Sequence, residues 1–331
     1  MVGLVVALLV RRRGTLQGLG ATLQHLRWQW VAVALGVELA SVVALARLQR
    51  WLLRVGGVRP GLWSLVAVTL ASNAIAISLP AGVAVAEGYL FQQYRRKGAD
   101  APLAAWVELA AGAWSVAALA GLTVAGLEIA GSRGPAWALR LVALVVFVGA
   151  TTAAMLFLFP RRLVRVLAWL LAHTRRLLPA SWRQPLDRAE RAAMAMGGLR
   201  PARNAWIPAA GFAALNWVDD CGCLVASFLA VGGPVPWRGV LLAYAATRLL
   251  AELPVTPGGV GIVEGGLVLT LVAYGGEPAS TAAAVLVYRG ISFWLLLVAG
   301  WSAWALLTWR RRVTDAAVAQ APARAEDRAV G

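Results

Sequence analysis

Of 331 residues, 60% are hydrophobic and only 14% are charged, with a mean hydropathy of +0.71. Soluble domains run nearer half apolar and a quarter charged, so the composition excludes an ordinary soluble enzyme or binding module. A net charge of +16 in such a chain is a matter of how its loops meet a membrane surface, and no nucleic acid partner is expected.

Apolar stretches of about 17–25 residues recur along the chain, as a hydrocarbon core roughly 30 Å thick demands of a helix. Met1 to Val10 is apolar but short, and Arg11-Arg12-Arg13 follows it. A signal peptide carries its charges before the apolar run, so residues 1–27 read as a shortened first span and an interfacial segment. Apolar segments then fall at 28–46, 62–79, 83–94, 102–127, 137–159, 204–231, 237–252, 260–275 and 281–309. Trp28, Trp63, Trp137, Trp206, Trp237 and Trp309 stand near segment ends, where an aromatic belt meets the membrane interface. The expected fold is an all-α polytopic membrane protein with about six full spans and two re-entrant or broken helical hairpins.

Basic clusters set the orientation. They lie at 47–59, at Arg95-Arg96-Lys97, throughout 161–203, and at Arg310-Arg311-Arg312. The positive-inside rule places all of them in the cytoplasm. The arms 62–79 and 83–94, joined at Leu79-Pro80-Ala81-Gly82, must then enter and return on one side, and the arms 237–252 and 260–275 form a second hairpin entered from the other side. The scheme leaves the N-terminal arginines outside, against the rule. Between the halves, 128–203 reads as a connecting span followed by a basic amphipathic region over 161–196. There Leu163, Val166, Leu167, Leu170 and Leu171 share a face opposite Arg161, Arg162 and Arg165, so the region reads either as a surface helix on anionic headgroups or as a linker that only fixes topology. From Thr314 to Gly331 no apolar periodicity remains, so 310–331 reads as a basic stop and a disordered cytoplasmic tail. The expected location is a bacterial inner membrane, with a cytoplasmic C-terminus.

The hairpins repeat. Pro80-Ala-Gly-Val-Ala-Val-Ala-Glu-Gly-Tyr-Leu90 aligns without a gap on Pro257-Gly-Gly-Val-Gly-Ile-Val-Glu-Gly-Gly-Leu267, an offset of 177 residues. The matching flanks divide the chain into a repeat over 28–127 and another over 204–309, and the charge argument orients them oppositely. Broken helices in corresponding places of two inverted halves mark where a transporter holds its substrate. Pro257, Gly258, Gly259 and Gly261 open a helix whose free N–H groups attract anions. Tight packing of the two arms is the other reading of the same glycines.

Ionisable residues inside apolar segments carry the rest of the functional argument, because intramembrane charge is costly. Glu87 and Glu264 are the matching acids of the repeat, and each reads either as a partner for a cationic group or as a cap on its own hairpin. Arg248 and Glu252 stand four apart, a spacing that also suits a self-neutralising intrahelical pair. Arg289 interrupts the last span, while Glu38, Asp219 and Asp220 lie in earlier ones. In this reading Arg248 and Arg289 hold a phosphate, with Glu87 and Glu264 toward any cation. Asp219-Asp220-Cys221-Gly222-Cys223 cannot converge on one tetrahedral ion from so short a helical stretch. Neither a metal, a P-loop nor any other cofactor is expected. The two cysteines suggest no disulfide framework.

The run Glu252-Leu-Pro-Val-Thr-Pro-Gly-Gly-Val-Gly-Ile-Val-Glu264, followed by Val287-Tyr288-Arg289-Gly290-Ile291-Ser292-Phe293-Trp294, resembles the flippase-like family whose best-known member is the membrane domain of the bacterial lysylphosphatidylglycerol synthase. The likeness covers roughly 25–310 and is strongest after 245. It implies a multi-span lipid translocator with re-entrant helices, not an enzyme, and carries Pro257, Gly258, Gly259, Gly261, Glu264 and Arg289 onto the family signature. The first span is short, and no soluble aminoacyl-transferase domain follows within the 331 residues, so lysyl-lipid synthesis is not expected of this chain. Partners expected are membrane lipids with anionic or zwitterionic headgroups, with a homo-oligomer or a cell-envelope enzyme as the protein partner. A lipid-binding scaffold is the alternative function, and a membrane-embedded lipid transferase stands third.

Overall fold

The computed structural model describes residues 25–79, 82–131, 140, 144, 147, 206–251 and 260–330, without the side chains of 250, 262 and 314–330. The N-terminal stub, the amphipathic region 161–196 and the residues Pro80, Glu252, Pro257, Gly258 and Gly259 lie outside the described residues, as does most of 137–159.

Every described element is helical. In chain order they are α1 (Trp28–Val55), α2 (Leu62–Ser78), α3 (Gly82–Arg96), α4 (Ala101–Ala130), α5 (Trp206–Val231), α6 (Trp237–Ala251), α7 (Ile262–Ala273), α8 (Pro278–Arg289), a π-helical segment (Gly290–Leu295) and α9 (Leu296–Val330). Among the described residues, Trp28–Val55, Ala101–Ala130, Trp206–Val231 and Pro278–Val313 are long and apolar enough to cross a membrane. The last of these joins α8, the π segment and the start of α9 into one continuous span.

Local chemistry sets the helix ends. Asp100 caps α4 by accepting from the Leu103 N–H at 2.8 Å, with Pro102 in the first turn. Glu277 caps α8, accepting from the N–H groups of Ala279 and Ser280 at 2.9 and 2.6 Å, with Pro278 leading the helix. The last helix continues to Val330, well past Thr314. Alanine recurs from Ala316 to Ala329, and its high helix propensity needs no apolar face to favour helical backbone.

Two antiparallel helical hairpins organise the bundle. In the first, α2 turns into α3 within a few residues, and Gly82 packs on the Ala76 carbonyl where a Cβ would collide. At its open end Lys97 Nζ donates to Ser64 Oγ. In the second, Gly239 at the start of α6 packs on Tyr274 just past α7, and Gly266 packs on Thr247. At about 1.5 Å per residue these arms are shorter than a 30 Å core.

The halves interlock by crossing. The closing span of the first half, α4, packs on α6 of the second hairpin, while the closing span of the second half, α9, packs on α2 of the first. A glycine stands at each crossing: Gly126 against the Leu242 backbone, and Gly300 against the Leu70 carbonyl. The opening spans α1 and α5 form the central pair and run antiparallel, since the Arg27 N–H at the start of α1 donates to the Ala230 carbonyl at the end of α5.

Candidate functional site

Along α5 the polar residues Asn216, Asp220, Cys223 and Ser227 recur at helical spacing, and α1 meets this stripe with Glu38 and Ser41. Asn216 Nδ2 donates to both oxygens of Ser41, at 3.2 and 2.8 Å. Gly222 lets the backbone approach Val37, where a Cβ would stand 3.1 Å from its Cγ1. Glu38, only 3% exposed, is thereby held beside Asp220 and the Cys223 thiol. Buried carboxyls in an apolar bundle demand partners.

Asp220 has three. Arg248, in the last turn of α6, donates through Nη2 to Asp220 Oδ2 at 2.5 Å. Tyr244 donates to the same oxygen at 2.8 Å, and Tyr288 donates to Oδ1 at 2.8 Å. The same Arg248 nitrogen donates to the Tyr288 hydroxyl at 2.6 Å, so Tyr288 accepts from the base while donating to the acid. Both tyrosine rings also lie against the guanidinium, at 5.7 and 5.8 Å. Two polar atoms of this cluster, Arg248 Nε and Glu38 Oε2, are buried with no hydrogen-bond partner among the described residues.

One residue along from Tyr288 is Arg289, 4% exposed. Its Nε donates to Glu264 Oε1 at 2.6 Å, and its guanidinium stacks on Phe293 at 4.3 Å. The other carboxylate oxygen, Glu264 Oε2, accepts from the Gly261 N–H at 2.6 Å and so caps α7. Gly261 has φ +86°, a left-handed conformation that suits glycine. Glu264 thus caps its own hairpin and pairs with Arg289 at the same time. The π-helical segment begins immediately after Arg289, a deviation that often accompanies functional sites within helices.

Of the residues singled out from sequence, Arg248, Gly261, Glu264 and Arg289 come together at this centre, with α1, α5, α6, α7 and α8 all contributing. Glu87 does not join them. It lines a separate cavity of about 170 Å³ between the first hairpin and α1 and α4, together with Gln49, Asn73, Tyr94, Glu108 and Gly112. Thr69 donates to Gln49 Oε1 there at 2.8 Å, while Glu108 Oε1 is buried without a partner among the described residues. The partner found for Arg248 is Asp220, from another helix, while Glu252 falls outside the described residues.

Asp220 and Tyr288 are the residues that sequence reasoning undervalued. Asp220 stands in the sequence as one intramembrane acid among several with no partner assigned, and Tyr288 only as a member of a motif. The available signal was helical phase, since Asn216, Asp220, Cys223 and Ser227 form one polar stripe in an otherwise apolar span.

The model of the family described as the lysylphosphatidylglycerol synthase TM region matches residues 1–300 of the chain. Comparison with curated proteins returns no match.

Proposed function

The chain belongs to the lysylphosphatidylglycerol synthase TM-region family, and from that membership we propose that it moves a lipid with an anionic or zwitterionic headgroup between the leaflets of a bacterial inner membrane. The observation that carries this reading is the pair of charged contacts, Arg248–Asp220 and Arg289–Glu264, deep in a bundle of apolar helices. Burying such groups is costly, and in membrane proteins they mark pathways for polar cargo. Neighbouring helix interruptions support it: α7 starts at a left-handed glycine, and a π segment follows Arg289. The antiparallel α1–α5 pair and the two crossed contacts favour an inverted repeat, the architecture in which such breaks line a substrate site. In this mechanism a lipid phosphate competes with Asp220 and Glu264 for the arginines, and the released acids face any cationic part of the headgroup. The chain performs no covalent chemistry and needs no cofactor. The C-terminus and the basic clusters face the cytoplasm.

A lipid-binding scaffold that moves nothing is the second reading, and one observation favours it: each arginine already holds a carboxylate, as a purely structural pair would. Purified protein in vesicles, scored for transbilayer movement of labelled lipids, separates the two. Movement above empty vesicles is expected, with Glu264→Gln lowering it while the protein still assembles. Lipid binding without movement would establish the scaffold instead.

A further inference from the structure

At one end of the bundle, three stretches distant in sequence build a cleft of about 550 Å³. Ser64 contributes from the start of α2, Gln93, Arg96 and Lys97 from the end of α3, and Leu307, Arg310 and Arg311 from α9. Two basic clusters more than two hundred residues apart in the chain thus face each other across one space. No acidic side chain lines the cleft among the described residues. Its walls are built: Lys97 donates to Ser64 Oγ, and Gln93 is buried. Partial burial lowers the Lys97 pKa from its usual value, the expected effect of bringing a cation into a shielded place. Like charges gathered in this way repel one another, and an anion in the cleft relieves that repulsion.

The surroundings select the kind of anion. Trp63, 74% exposed, adjoins Ser64, and Trp309, 62% exposed, adjoins Arg310. Exposed tryptophans near the ends of apolar segments are the mark of the headgroup level of a bilayer. Leu307 supplies an apolar wall on the span side of the cations, and exposed Trp304 and Leu306 continue that surface along α9. A soluble phosphate has no use for such a surface, whereas a lipid presents a phosphate at headgroup depth with its chains running along the helix.

We propose that the cleft between α2, the end of α3 and α9 is a binding site for the phosphate-bearing headgroup of an anionic lipid, separate from the Arg248–Arg289 centre. Basic pockets between transmembrane helices bind such headgroups through charge. With basic residues on two walls, the cleft holds a headgroup bearing two phosphates better than one bearing a single phosphate. The inference requires a membrane-embedded chain, not translocation, so it stands or falls independently of the transport reading.

The test is lipid binding by the purified full chain in a neutral detergent, titrated separately with cardiolipin, phosphatidylglycerol and phosphatidylcholine. Expected affinity falls in that order. Lys97→Gln with Arg311→Gln should weaken cardiolipin binding by roughly 25-fold, from about fivefold per basic residue. A charge-matched control, Arg47→Gln with Arg54→Gln, removes two exposed cations of α1 that do not line the cleft and should leave affinity within about twofold, since they lie outside the contact. Gln93→Glu keeps every cation, places a carboxylate in the cleft and should also weaken binding, so the site stays testable if the double variant fails to fold. Equal losses in the cleft and control variants would reduce the effect to overall charge and overturn the site. So would Gln93→Glu binding like the wild type, or inorganic phosphate displacing cardiolipin at equal concentration, which would make the ligand a free anion. Transport assays on the same variants report on the other reading alone.

Discussion

The two hairpins share a sequence pattern and do different things with it. In the second, Glu264 caps α7 and holds Arg289, so its charge is committed. In the first, the aligned Glu87 faces a cavity with Glu108 and holds no cation among the described residues. Two aligned positions account for the contrast. Gly261 takes a left-handed φ and starts α7 just after it, which places Glu264 at the third helical position, where a carboxylate reaches back to the free amide. Its counterpart is Ala84, which disfavours that conformation, and α3 instead starts at Gly82, leaving Glu87 too far into the helix to cap it. At the same offset of 177 residues, the position matching Arg289 is Gly112. A Cβ there would meet nothing within 4 Å, and Gly112 itself lines the cavity. The first half has space where the second has a guanidinium. One half is a neutralised, closed centre and the other an open, acid-lined recess.

The largest expected effect breaks the closed centre. Arg248→Met should cost about 3–5 kcal/mol, because it leaves Asp220 and Glu38 buried without their cation. Thermal melting in detergent measures it, and Glu108→Gln, which removes an acid with no ion partner among the described residues, should melt close to the wild type. If both variants lose equal stability, the contrast between the halves is wrong.

An intermediate effect tests the glycines, with opposite signs. Gly300→Ala forces a methyl into the Leu70 carbonyl at the α9–α2 crossing and should destabilise by about 1–3 kcal/mol. Gly112→Ala adds the same methyl in open space within α4 and should stabilise by about 0.5–1 kcal/mol through helix propensity. Matching melting shifts for the pair would show that the recess is not open.

The smallest effect lies outside both centres. Two backbone amides hold the Glu277 carboxylate below its usual pKa. A lowered folded pKa means that the cap's contribution is complete above the ordinary carboxylate range and fades as pH falls through the lowered value. Wild-type protein should therefore lose slightly more stability on acidification than Glu277→Gln, read as the difference between their melting curves.

Composition and pattern were enough for the membrane class, the helical fold and the place of both hairpins, because apolar length and Gly/Pro interruptions are local properties. Helix phase already held the clue to Asp220, on one stripe with Asn216 and Cys223. What sequence could not decide was pairing. Arg248 lies four residues from Glu252, but the acid it meets among the described residues is Asp220, which reaches it from α5 while Tyr288 reaches it from α8. Glu87 and Glu264 look equivalent as letters, but a charged side chain takes its role from the donors and cations within hydrogen-bond reach. That reach, about 3 Å, is set by helix crossings at Gly126, Gly222 and Gly300, where removing a side chain lets two backbones touch.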